Sequence, residues 1–277
     1  MNLVRSELLK IRTTNTWWLF GIGALVTLAL AFVVNAAGAY VSLSGPQDLE
    51  GVPAEQAEQA RASANELFQA ANLFTSGQYF GLLFVLLLGI LVVTNEFYHQ
   101  TATTTFLTTP RRTLVVGAKL VTAALFGALL WLVTTLLTVP ATLIYFGIRG
   151  WDAHLGSWDV VRAILLNLLA YVLWGIFGVG FGVLIRSQIG ATITAVVLYL
   201  VGTTAANVVF LLLEQWLHWD WISKLAVIVP STASALMISG TELPGNPPQW
   251  VGAVVLIGYA AVTGTVGTMI MRRRDIA

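Results

Sequence analysis

The sequence predicts an all-α membrane protein with six transmembrane helices, an amphipathic helix at its N-terminus and a re-entrant outer segment before the sixth span. Three observations carry this. Of 277 residues 57% are hydrophobic and 10% charged, with a mean hydropathy of +0.81, against roughly 25% charged residues in a soluble domain. Apolar runs recur at the length, about 20 residues, that crosses a hydrocarbon core about 30 Å thick. Lys and Arg gather on alternate connections, as the positive-inside rule requires.

The chain has no cysteine, which excludes disulfides, thiolate catalysis and Cys-based metal sites. Its three histidines, His99, His154 and His218, are scattered. A net charge of +1 gives no footprint for nucleic acid.

Residues 1–16 begin the chain with Leu3, Leu8 and Ile11 near one helical face and Arg5, Lys10 and Arg12 elsewhere. That pattern predicts a helix lying on the inner leaflet. The first span, 17–39, follows it. Basic residues before an apolar run, with Ala37-Gly38-Ala39 after it, also fit a signal peptide, but the run exceeds a signal core of about 7–15 residues. An uncleaved span is expected.

Residues 40–78 form an outer loop containing a helix. After Pro53, the residues Ala57, Ala60, Ala64, Leu67, Ala71 and Phe74 recur at spacings of three and four, a narrow seam for another helix. The seam either packs on the protein's own outer surface, or serves an extracytoplasmic partner at 54–75 or caps the exit of a pathway.

Further spans are predicted at 77–94, 114–146, 160–185, 188–213 and 250–271. The third is too long for one crossing. Lys119 in its first turns predicts that it starts in water, and Pro140 predicts a kink near the far end. Arg186, Ser187 and Gln188 alone join spans four and five, predicting adjacent antiparallel helices. Residues 214–249 contain the apolar run Leu225–Ile238, too short to cross and holding Pro230. It is expected to be re-entrant or interfacial, anchored by Trp216, Trp219, Trp221 and Trp250 at headgroup depth.

Arg5, Lys10, Arg12, Arg111, Arg112, Lys119, Arg186, Arg272, Arg273 and Arg274 fall on one side, and Arg61, Arg149, Arg162 and Lys224 on the other. Ten against four puts both termini in the cytoplasm.

The predicted span interiors carry no Asp, Glu, Lys, Arg or His. Ion- and proton-coupled carriers place ionisable groups at that depth, so energy for any uphill movement must enter from outside the bilayer. The chain has no GxxxxGK[ST] stretch to cradle phosphates. A docking point for a separate ATPase is therefore sought on the cytoplasmic side, and the segment 95–113 between spans two and three supplies the candidate. Thr101–Thr109 is β-branched and a poor helix former, ended by Pro110. Such a stretch needs a partner surface to hold it as a helix, and Phe97, Tyr98, Phe106 and Leu107 offer apolar anchors with Glu96 a charge. The alternative is an ordinary inner loop, with Arg111 and Arg112 serving only as a topology anchor.

The stretch Asn95-Glu96-Phe97, then Thr104-Thr105-Phe106-Leu107-Thr108-Thr109-Pro110-Arg111-Arg112, then Lys119, resembles the cytoplasmic loop of type-2 ABC transporter permeases. The amphipathic N-terminal helix, six spans, outer segment with Pro230 and basic end agree, so the resemblance covers nearly the whole chain. The loop between spans one and two is longer than in the family's drug-exporter-like members. The resemblance implies that residues 1–277 are one permease domain of a bacterial ABC exporter in the plasma membrane. A second permease chain, identical or not, would pair with it. The segment would be a coupling helix, with Glu96, Phe97, Tyr98, Thr103, Thr104, Phe106, Leu107, Arg111 and Arg112 seated on a cytoplasmic ATP-binding subunit. No cofactor is expected in this chain; ATP and Mg would be bound by the ATPase partner.

Along the membrane path, Asn35, Asn167 and Asn207 supply amides, and Trp131, Tyr171, Trp174 and Tyr199 supply aromatics away from the interfacial belts. Each fits interhelical bonding and packing; as a set they suit a hydrophobic or amphiphilic substrate such as a drug, antibiotic or lipid. The face made by Gly175, Gly178 and Gly182 predicts close helix contact, with no transport role. The competing functional classes are a non-transporting scaffold or immunity subunit and, less favoured, an ion-coupled carrier.

Overall fold

The protein is described by a computed structural model covering residues 2–14, 16–45, 51–52, 54–101, 105, 107, 111–185, 187–217, 219 and 221–273. Regular structure among these residues is entirely helical. Six helices among the described residues are long and apolar enough to cross a membrane.

Helix α1 (Asn2–Arg12) lies against the first turns of α6 (Arg112–Arg149), and α2 (Thr16–Ser44) is the first long apolar helix. Two short helices follow, α3 (Ala54–Ser63) and α4 (Glu66–Phe74). The single seam expected over 57–74 is thus broken at Asn65, whose side chain caps α4 by accepting the Leu67 N–H at 2.9 Å. Ala70, Ala71, Leu73 and Phe74 are buried against α2, α6 and α7 (Trp158–Leu184), so α4 packs on the protein itself.

Gly77, at φ +81°, turns the chain into α5 (Gln78–Tyr98). This is a conformation that only glycine adopts without strain, and an added Cβ would strike Leu28. Of the most apolar window of the second candidate span, 78% is buried, against 6% for the fifth. Helix α5 is therefore the axis around which the others pack, and the fifth span shows most of its surface outward.

Helix α6 has 38 residues, about 57 Å at 1.5 Å per residue, so it overruns the hydrocarbon, with Pro140 inside its far half. Helix α7, capped by Ser157, packs on α5, α6 and α11 (Gln249–Arg273). Its Gly175, Gly178 and Gly182 face Ala123, Leu86, Gly89 and Ile90, and a Cβ on Gly89 would stand 2.5 Å from the Gly175 carbonyl. No side chain fits between these backbones. The small face is plain packing, as the glycine spacing predicts.

The fifth span runs as α8 (Gln188–Val197), a π-helical turn at Leu198–Gly202, and α9 (Thr203–Leu217). Beyond it, a 3-10 turn at Ser223–Ile228 leads into α10 (Pro230–Ile238), which begins on its proline, where the missing N–H costs nothing. Helix α10 packs on α11 and α7, with Ala233 and Met237 fully buried. The apolar run 225–238 is therefore a turn and a nine-residue helix and not a span.

Candidate functional site

Helix α1 presents Ile11 and Glu7, four residues apart, to the protein, 6% and 4% exposed. An acid occupies a position where an apolar residue belongs. On α6, Lys119 sits in the middle of the face made by Val115, Val116, Thr122 and Ala123, and is 0% exposed. At the end of α5, Glu96 is 4% exposed. Three ionised side chains taken out of water this far require partners, and they find one another.

The Lys119 ammonium lies 2.7 Å from Glu7 Oε2 and 3.0 Å from Glu96 Oε2, and donates to the Val92 carbonyl at 2.9 Å. These three acceptors match its three protons. Lys10, on the outer side of α1, closes the ring, 2.6 Å from Glu7 Oε1 and 2.5 Å from Glu96 Oε1. The Thr105 hydroxyl adds a donor to Glu96 Oε1 at 3.3 Å. Two carboxylates and two ammoniums thus form a closed, neutral cluster joining α1, α5, α6 and the segment between the last two.

Burial by itself would lower the Lys10 pKa, but the hydrogen bonds it donates to Glu7 and Glu96 and their negative charges outweigh it, holding the group above its ordinary 10.5. Helix α5 ends in a Schellman arrangement. Gln100 takes φ +55°, Thr101 N–H bonds the Glu96 carbonyl at 2.9 Å, and Gln100 N–H bonds that of Phe97 at 3.3 Å. The chain reverses directly over the cluster.

The residues expected to dock a partner divide. Glu96 faces inward with its carboxylate committed to two lysines, which corrects the expectation that it offers its charge to a partner surface. Lys119 does not mark a water-exposed start of span three, because it is fully buried in that same cluster. Phe97 packs beside the core of Val93, Val116 and Met271. The Arg112 guanidinium donates to the Met271 carbonyl at 3.4 Å, holding the end of α11. Tyr98 (65% exposed), Leu107 (79% exposed) and Arg111 face outward at the tip. Thr103, Thr104 and Phe106 lie outside the described residues.

The expected pathway residues also separate. Tyr171, Trp174 and Tyr199 are buried in the main core. The Trp174 indole donates to Ser234 at 2.8 Å, and the Tyr199 hydroxyl to the Tyr79 carbonyl at 2.5 Å. Asn167 is 3% exposed, and its Oδ1 and the Tyr171 hydroxyl have no hydrogen-bond partner among the described residues. Trp131 donates to the Ile164 carbonyl at 3.1 Å, and Asn207 accepts from Thr232 at 3.3 Å on an exposed face of α9. Asn35 donates to Ser76 at 2.9 Å and lines a cavity at the end of the bundle opposite the cluster, the one member of the set to do so.

Glu7 escapes a reading by residue type alone, which treats it as a solvated acid. The signal that could have found it is an acid on the apolar side of an amphipathic helix. Among the described residues no group of three His, Cys, Asp or Glu is placed to hold a metal ion.

Residues 51–277 match the family described as "Protein of unknown function (DUF2705)". No curated protein matches the chain.

Proposed function

The chain belongs to the DUF2705 family, and we propose, on its residues and geometry, that it is the transmembrane subunit of an ATP-driven exporter of a hydrophobic or amphiphilic compound. A separate cytoplasmic ATPase supplies the energy, and a second permease chain completes the pathway. The resemblance of residues 95–119 to the coupling loop of type-2 ABC permeases suggests the class. The observation that carries the reading is the cluster of buried Glu7, Glu96 and Lys119, closed on its outer side by Lys10. It fastens the N-terminal helix and the ends of spans two and three to the coupling segment, so that a push on the segment moves all of them as one body.

The reading assigns the contact to the exposed tip. Tyr98 and Leu107 are anchors for a cleft on the ATPase, while Glu96 and Lys119 keep the tip attached to the helices behind it. A desolvated anchor of this kind contributes about 2 kcal/mol or more, roughly a thirtyfold change in affinity.

Affinity isolation of the chain from its own membrane tests the proposal. An ATP-binding polypeptide is expected to accompany the wild type, and to be lost on washing from Tyr98→Ala/Leu107→Ala, a variant whose exposed side chains leave the fold intact. The purified chain alone should not hydrolyse ATP. Isolation without any ATP-binding partner would favour a non-transporting membrane subunit, and turnover by the isolated chain would refute the two-component machine.

A further inference from the structure

At the end of the bundle opposite the ion-pair cluster, a cavity of about 710 Å³ opens between α2, α4, the start of α5 and the segment that precedes α11. Its volume is that of a small-molecule site, and its lining follows the common pattern of mainly apolar walls with a few polar groups.

The polar and apolar groups are ordered along the bundle. Lys224 lies just beyond Trp219 and Trp221, which are both exposed and stacked at 5.9 Å. Exposed tryptophans of this kind sit at headgroup depth. The amide-bearing Asn72 and Asn246, both exposed, line the same cavity. Deeper along α2, Val34 and then Leu30 continue the wall; they are 69% and 63% exposed, so that side is open to the hydrocarbon. Lys224 makes no ion pair among the described residues, whereas Arg149 and Arg162 are engaged. Arg149 lies 4.4 Å from the Tyr40 ring, and Arg162 pairs with Asp159 at 3.1 Å.

We infer that this cavity binds an anionic amphiphile drawn from the surrounding bilayer, with its headgroup on Lys224 and the two amides and its acyl chain along Leu30 and Val34. Charge selects the headgroup, because one basic side chain stands at the mouth. The open side wall selects a chain-bearing ligand, because a water-soluble anion gains nothing from it. The inference is independent of whether an ATPase docks at the other end.

Native mass spectrometry of the full chain, released from nonionic detergent with added phosphatidylglycerol, phosphatidylcholine of the same chains, or inorganic phosphate, tests this. Phosphatidylglycerol should be retained about fivefold better than phosphatidylcholine, the scale of one basic side chain at an anionic surface, and phosphate should not be retained. Lys224→Gln should abolish the preference. Ala31→Phe, which fills the cavity from α2, should remove retention; Ala235→Phe does so from the other wall if the first variant fails to fold. Equal retention of the two lipids by the wild type, retention of phosphate alone, or indifference to both kinds of variant would overturn the inference.

Discussion

Replacing Lys119 by Met removes one ammonium from a site where Glu7 and Glu96 are almost wholly withdrawn from water. Methionine fills most of the space, so packing changes little and the electrostatic loss stands out. Lys10 remains, but its side chain is 43% exposed and cannot neutralise two carboxylates. Breaking a buried pair by removing one partner costs about 3–5 kcal/mol, mostly the penalty of the charge left behind. For a chain of this size that corresponds to a fall of about 6–20 °C in the thermal midpoint. The ten tryptophans give an intrinsic fluorescence signal for unfolding in detergent. Adding Glu7→Gln to Lys119→Met removes the unpaired acid and leaves the Lys10–Glu96 pair, so the double variant should regain part of the loss, with a coupling of roughly 1–3 kcal/mol. A Lys119→Met midpoint within about 2 °C of wild type, or a double variant less stable than the sum of the singles, would refute the reasoning. The same logic makes Glu96→Ala a destabilising change.

Gly178→Leu should abolish recovery of folded protein, because its side chain would enter the contact with the Leu86 backbone; overpacking costs about 1–3 kcal/mol even where neighbours can shift, and size-exclusion recovery measures it. The raised pKa of Lys10 means that its contribution is fully present below about pH 10.5 and is lost only as pH rises through its higher folded-state value. The difference in midpoint between wild type and Lys10→Gln should therefore stay constant from neutral pH to about pH 10 and shrink above 10.5; shrinkage near neutrality would contradict the assignment. Cysteines placed at Ser63 and Ser239 of this Cys-free chain should react with an impermeant thiol reagent added outside, and one at Thr104 only after the membrane is opened. External labelling at Thr104 would reverse the orientation.

The long helices are legible because their signal is local. The apolar runs predict 77–94 and 160–185, and the structure places helices at Gln78–Tyr98 and Trp158–Leu184. The small face of Gly175, Gly178 and Gly182 is legible for the same reason. The ion-pair cluster is not, since Glu7 and Lys119 are 112 residues apart and each, taken alone, looks like a charge placed in water. The polar–apolar pattern cannot tell a solvated charge from one buried with a partner. The break at Asn65 was open to a reader attending to Asn-Glu as a helix start, but the three-four spacing of alanines runs through it and masks the boundary. The π-turn at Leu198–Gly202 has no sequence signature; it places the Tyr199 hydroxyl on the Tyr79 carbonyl, a tertiary contact.

The proposed exporter requires that the end of the bundle carrying the cluster seats an ATPase. A photo-crosslinking amino acid at Leu107, 79% exposed and more open than Tyr98, tests it in the native membrane. A crosslink is expected from this position to an ATP-binding polypeptide, and none from Trp221 at the opposite end. Crosslinks from Leu107 only to lipid or to other copies of the chain, with the protein folded and the cluster intact, would contradict it.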